Sequence, residues 1–268
     1  MDVLTKFLKH FNIDGRQPPF WLFCAAAQAF SRIPYENISK IIRRAETGSD
    51  AKARRSPDEV IADHIRWGTG GTCFSLTSAL CKLARGLGLE AEYLLADRGY
   101  GQNTHSALLV RIVGKTYLVD PGFLITEPVP LPLTGAVEID SGGERLMLIP
   151  DEKGISLFTT RGGKHVHRLT YKTAPADEGE FYNAWDASFR WEMMRYPLLA
   201  RAGESGRIYM RGSMFQVSNN DSVTRIKIPE NELAARITGE FGIHPVLVAR
   251  ALNLLEKGDM SDGASLRR

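Results

Sequence analysis

The hydrophobic pattern of this chain changes period around Gly86 to Gly88, and that change restricts its architecture more than any other feature. Upstream, "VLTKFLKHF" and "PPFWLFCAAAQAFSRI" repeat apolar residues at spacings near three and four, which places them on one face of a helix. Downstream, "EAEYLLAD", "HSALLVRIV" and "KTYLVD" are rich in Tyr, Val, Leu and Ile and read as strands. Further short strands are expected near Arg145 to Ile149, Ile155 to Thr160 and His167 to Tyr171. The aromatic run "EFYNAWDASFRWEMM" reads as a packed or ligand-lining segment and "GRIYMRGSMFQV" as strand, and "IPENELAARITGEFGIHPVLVARALNLLEKG" returns to a helical period. A helical first third, a β-rich middle and a helical end are therefore expected, and the tail after Gly258 reads as frayed.

Local signals set some boundaries. In "SPDEVIADHIRWG", Ser56 suits a cap, Pro57 the first helical position, Glu59 the capping box and Gly68 the stop. A second helix should start near Thr72 and run through "CFSLTSALCKLARG" to Gly86. The stretch Ala45 to Arg55 reads as a polar loop whose basic residues form a solvated face, although an anion could also engage them.

Composition narrows the function classes. The net charge of +3 is spread along the chain, so charge gives no reason to expect nucleic acid as a partner. The three cysteines, Cys24, Cys73 and Cys81, lack CxxC or zinc-like spacing, so neither a disulfide framework nor a metal is expected. The amphipathic N-terminal stretch does not fit a signal peptide, and no apolar run is long enough to span a bilayer. We expect a cytoplasmic protein with no membrane partner.

Cys73 stands out because it opens a helix behind "GTGGT". Unpaired amides and the positive end of the helix dipole favour thiolate there, and small neighbours let a carbonyl approach. Cys24 and Cys81 lie inside apolar helical patterns and read as core. A cysteine nucleophile needs a base and a group to orient it. His105 opens one strand and Asp120 closes the next. With Gly114 and Lys115 as a two-residue turn, Val113 faces Thr116, and His105 and Asp120 share a sheet face but sit about 13 Å out of alignment. The residues alone leave two readings open, a Cys73, His105, Asp120 triad or three unrelated residues.

"GGTCFSL", "THSALLV" and "YLVDPGF" closely resemble the nucleophile, histidine and aspartate segments of the arylamine N-acetyltransferases, and "IPYENISK" is similar to that family's IPFENL element. "ESGRIYMRG" and "ELAARITGEFGI" resemble later parts of the family more loosely. The resemblance implies an α+β fold related to papain-like and transglutaminase-like enzymes. Residues 1–88 would form a helical bundle carrying the cysteine, 89–180 an antiparallel β-barrel carrying histidine and aspartate, and 181–268 an α/β lid. It implies ping-pong transfer of acetyl from acetyl-CoA to a small arylamine through Cys73, with His105 as base, Asp120 orienting it, and the backbone N–H groups of Cys73 and Thr104 facing the oxyanion. Phe123 and Glu36 would belong to the substrate-binding surroundings. A monomer or homodimer is expected.

The chain departs from the family pattern at Thr69, where the family has an arginine four residues before the cysteine that is expected to pair with the acid at Glu36. Arg66 is the candidate replacement partner. Ser75 and the Pro121 to Leu124 segment also differ from the family pattern. Rival readings are a transglutaminase-like cysteine hydrolase, an amide synthase with another acyl donor, and an inactive relative that binds a small ligand. His165 and His167 read as a surface pair, His64, His10 and His244 as structural. Tyr182, Trp185 and Trp191 read as lid anchors or substrate contacts.

Overall fold

Side-chain caps start two of the helices of the N-terminal part. The computed structural model describes residues 2–141, 143–203 and 206–258. Helix α1 (Val3–His10) starts where the Asp2 carboxylate accepts the Thr5 N–H, and α2 (Pro19–Phe30) starts on a proline. The two-residue strand β1 (Tyr35–Glu36) leads into α3 (Ile38–Thr47) and the short α4 (Asp50–Ala53). Helix α5 (Pro57–Trp67) has the full reciprocal capping box of Ser56 and Glu59, and Gly68 ends it in the left-handed conformation. Helix α6 (Cys73–Gly86) begins at the cysteine. The expected polar loop from Ala45 to Arg55 is corrected here. It contains the end of α3 and all of α4, and Arg55 is buried rather than solvated.

Among the described residues, twelve strands and three α-helices follow the period change. Strands β2 (Glu90–Arg98), β3 (Gly101–Ile112), β4 (Lys115–Asp120), β5 (Ile125–Pro130), β6 (Val137–Ser141), β7 (Glu144–Asp151), β8 (Gly154–Arg161) and β9 (Lys164–Tyr171) form an eight-stranded sheet in the order β5-β4-β3-β2-β9-β8-β7-β6. Its pairings are antiparallel and it curls into a nearly closed barrel. Leu94, Leu118, Leu146, Leu157 and Tyr171 fill its interior. Strands β5 and β6 are the edges and had no clear sequence signal; Pro128 and Pro130 are tolerated in β5 because an edge strand has one unpaired side.

After α7 (Glu178–Ala187), strands β10 (Leu198–Gly203), β11 (Gly206–Arg211), β12 (Met214–Ser218) and β13 (Val223–Lys227) join β1 in a second sheet ordered β1-β10-β11-β12-β13. Helices α8 (Glu230–Phe241) and α9 (Pro245–Glu256) close the chain, with α9 against α3. The architecture is the α+β arrangement expected, with helices at both ends of a barrel. β1 nevertheless ties the first segment into the C-terminal sheet, with Tyr35 opposite Ala200. The tail expected to fray after Gly258 lies outside the described residues. No helix among the described residues is long and apolar enough to cross a membrane.

The β3 to β4 hairpin differs from its expected register. Ile112 faces Lys115, so Val113 and Gly114 make the turn, with φ of 47° and 74°. Two left-handed residues in succession are the geometry of the tight turn that matches strand twist. The shift moves Asp120 toward the position opposite Ala107, because Leu108 pairs with Val119. His105 and Asp120 keep their common face, and their misalignment falls from four residues to two, within reach of a long side chain on the diagonal.

Candidate active site

The nucleophile segment is pinned before it becomes helix. Gly70 fits because any Cβ there would lie 1.8 Å from the Pro34 carbonyl oxygen. Its N–H donates to Glu36 Oε1 at 3.1 Å, and its carbonyl accepts from the Arg55 guanidinium, which also pairs with Asp63 at 3.0 Å. Glu36 further accepts from the Ser39 N–H at 2.8 Å and from the Ser39 hydroxyl at 2.5 Å. The expected partnership of Glu36 with Arg66 is therefore corrected: Arg66 stacks over Trp67 at 4.5 Å, and an amide and a serine satisfy Glu36. Thr69, at the family's arginine position, is buried with its hydroxyl unpartnered. Arg55 supplies a buried guanidinium to the same loop from outside the motif, a contact the sequence did not signal.

Across from this loop, the barrel brings two of the expected residues together. His105 Nε2 lies 2.6 Å from Asp120 Oδ2, and both side chains are fully buried. The same oxygen accepts the Tyr171 hydroxyl at 2.6 Å, and Oδ1 accepts the Phe123 N–H at 2.8 Å. A carboxylate with three donors stays ionised and fixed in place. Tyr171 was missed as a site residue because it stands 51 positions from Asp120 in the chain, and only barrel closure joins them. Gly122 packs against both Cys73 and His105, since a Cβ there would stand 2.7 Å from Cys73 Cβ and 3.0 Å from His105 Cε1.

The electrostatics follow from this packing. Burial alone pushes the Cys73 thiol up, but the charge and hydrogen bond of His105, with Arg98 and Lys40 behind it, bring it below its ordinary value. Burial opposes charge on His105 as well; Asp120 and Cys73 overcome it and raise the imidazole to about 9. Asp120 is lowered despite its burial, first by the charge and hydrogen bond of His105 and then by the Tyr171 hydroxyl. Both shifts run in the direction that favours thiolate beside imidazolium over the neutral pair. Burial lowers Lys40 to about 7, while its Nζ contacts the Ser188 carbonyl at 3.0 Å and lies 4.4 Å from the Phe189 ring.

A cavity of about 410 Å³ opens on Cys73. Its lining includes Tyr35, Arg98, Tyr100, Thr104, Trp191 and Tyr209. Two expected substrate-binding residues do not line it. Phe123 is packed in the barrel core beneath the Arg207 guanidinium, and Glu36 is buried under the nucleophile loop. Trp191 reaches the cavity, whereas Trp185 and Tyr182 pack around Phe181. Cys81 is buried and Cys24 only partly so. His165 and His167 are exposed and bond to Thr160 and Thr170, and no metal-binding cluster occurs among the described residues. His64 bonds to the Thr69 carbonyl, His10 stacks edge-on against it, and His244 caps α9.

A family model described as N-acetyltransferase matches residues 25–248. The chain belongs to the arylamine N-acetyltransferase family. It is accordingly an acyltransferase with the papain-like fold of that family. Among solved structures, the Mycobacterium smegmatis arylamine N-acetyltransferase is 22% identical, with 96% of this chain and 99% of that one covered and a TM-score of 0.77. The Mycobacterium marinum enzyme in complex with CoA is 18% identical over 95% of this chain and 98% of its own, with a TM-score of 0.78. A Bacillus cereus member described with a Cys-His-Glu catalytic triad is 17% identical, covers 91% and 99%, and scores 0.71. At these identities the likeness establishes a shared fold. No curated protein sequence matches the chain.

Proposed function

We propose that this enzyme moves an acyl group from acyl-CoA, acetyl in the simplest case, to a small amine through a thioester on Cys73. The observation that carries the reading is the Cys73 thiol at a helix start, packed against Gly122 together with a buried His105 that Asp120 holds at 2.6 Å, with a cavity opening on Cys73. Family membership and a CoA-bound relative of the same fold support acyl-CoA as donor.

In this mechanism the Cys73 thiolate attacks the carbonyl carbon of the donor, and the new C–S bond forms as the carbonyl becomes an oxyanion. Backbone N–H groups of Cys73 and Thr104 stabilise that oxyanion. The oxyanion collapses, the bond to CoA sulfur breaks, and imidazolium His105 gives its proton to the leaving thiolate. After CoA departs, neutral His105 takes a proton from the incoming amine as its nitrogen attacks the thioester, and Cys73 leaves as thiolate. Asp120 remains ionised throughout and keeps Nε2–H directed at itself, so the other ring nitrogen handles the proton. The tyrosines and Trp191 provide flat apolar surface with polar edges for a small amine, and water is excluded as the cavity fills.

Incubation with acetyl-CoA alone should give an acetyl adduct by intact mass, absent in Cys73→Ala and discharged by an arylamine with release of the acetylated product. A peptide or ester turned over with no acyl adduct would replace this reading with a hydrolase. Inertness toward every donor would replace it with a ligand-binding role.

A further inference from the structure

Beyond lending its charge to the Cys73 sulfur, Arg98 has no task in the acetyl-transfer chemistry, yet its guanidinium stands at His105 and the cavity. It is the last residue of β2 and lines the cavity with Cys73. Its Nη2 lies 3.0 Å from His105 Nδ1, its backbone N–H is fixed by the Thr104 hydroxyl at 3.1 Å, and its Nε is buried with no partner. Two other arginines in the protein's interior have carboxylates: Arg55 pairs with Asp63 at 3.0 Å and Arg207 with Glu144 at 3.1 Å. Among the described residues no carboxylate lies within ion-pairing distance of Arg98. Asp120 is committed to His105, Tyr171 and the Phe123 amide. The Cys73 thiolate offers Arg98 a single sulfur and leaves guanidinium donors unpaired, which is costly in a buried site, and a guanidinium fork matches a carboxylate.

The contact with His105 sharpens the point. Nε2 is taken by Asp120, so in the proposed mechanism Nδ1 is the nitrogen left to exchange a proton with the thiol, and it is the one Arg98 contacts. Nδ1 can accept from Arg98 only while unprotonated. Once it carries the thiol's proton, two N–H groups face each other and the guanidinium needs a different acceptor.

We propose that Arg98 determines specificity by binding a carboxylate carried by the group delivered to Cys73, so that short dicarboxylic acyl-CoAs are the preferred donors. The inference rests on the thioester reading above and names its donor class. In the step it governs, Cys73 sulfur forms a bond to the thioester carbon, the bond to CoA sulfur breaks, and His105 returns a proton to CoA. The carboxylate at the far end of the acyl group stays intact against Arg98. A carboxylate on the acceptor amine would present the same chemistry from a second source. Arg211 also lines the cavity, but it stacks on Tyr196 at 4.9 Å and lies 3.6 Å from Glu192.

Alkylation of Cys73 by iodoacetate and by iodoacetamide tests the subsite without any CoA donor, because the two reagents differ in one carboxylate. The ratio of their rate constants should fall about tenfold or more in Arg98→Met and be partly kept in Arg98→Lys, since His105 is present in all three proteins. A ratio unchanged in Arg98→Met would overturn the proposal. Should that variant fail to fold, the wild-type protein still decides: malonate should protect Cys73 from iodoacetamide where malonamide does not, and equal protection would count against the subsite. Malonyl-CoA and succinyl-CoA should then load Cys73 about tenfold faster than propionyl-CoA. Equal loading, with 4-aminobenzoate preferred over aniline as acceptor, would overturn the assignment of the carboxylate to the acyl group. An Arg98-dependent alkylation ratio with no adduct from any acyl-CoA would uphold the subsite and sink the thioester reading.

Discussion

Cys73 and Cys81 lie about two turns apart on α6, with 3% and 1% of their surfaces exposed. Burial pushes both thiols up. For Cys81 that effect prevails, and its sulfur faces the Ala91 carbonyl at 3.8 Å. For Cys73 it is outweighed by His105, Arg98 and Lys40. One helix thus holds one thiol raised by its surroundings and one lowered by them. The difference comes from the barrel, which sets an oriented imidazole and a guanidinium against the first turn and nothing comparable against the third. A helix start and a glycine loop make room at the sulfur, and the opposing sheet supplies the charges that favour thiolate there.

That comparison can be broken by removing what the barrel supplies. Asp120→Asn should cost roughly 10² to 10⁴ in kcat/KM, the range for a group that holds a catalytic imidazole, and should move the alkylation profile of Cys73 upward toward that of Cys81. A small loss with an unmoved profile would show that His105 needs no anchor. Gly122→Ala tests spacing instead of charge, because its methyl group would enter the 2.7 Å contact with Cys73 Cβ. About 10²-fold lower kcat/KM with unchanged circular dichroism is expected, and full activity would contradict the tight approach.

The smallest expected effect concerns Lys40, whose native value near 7 lies below the ordinary lysine value. Between about pH 7 and pH 10.4 the unfolded chain binds more protons at this position, so its contribution to stability rises with pH across that window. Below it, the full cost of a buried charge is present. Lys40→Met should therefore gain more in Tm at about pH 6 than at about pH 9.5, by about 2–4 °C per kcal/mol of difference. An equal gain at both values would show that Lys40 is not neutralised by burial.

The sequence was most informative where chemistry is local. Ser56, Glu59 and Gly68 bounded α5 because caps act within four residues. Cys73 was visible as a helix-opening residue for the same reason. The His105 to Asp120 alignment was misread because Val113 is β-branched and sits at positive φ, a conformation that the neighbouring Gly114 made easier to assign one position later. Tyr171, Arg98 and Arg55 left no local trace. Their roles arise when β9 closes on β2, when the β2 to β3 turn folds over the histidine, and when a buried arginine from a polar-looking stretch reaches Gly70. Long-range satisfaction of buried polar groups has no periodicity to read.

Thiolate at Cys73 near neutral pH is what the proposed chemistry requires, and site-resolved alkylation of Cys73 and Cys81 across pH measures it within one molecule. In the wild-type protein, modification of Cys73 should remain fast down to about pH 6, well under the ordinary thiol value of about 8.5, while Cys81 stays slow until far higher pH. In His105→Ala, the Cys73 profile should move up to or beyond the ordinary value. Coincident profiles for the two cysteines, with that of Cys73 unmoved by His105→Ala, would contradict it.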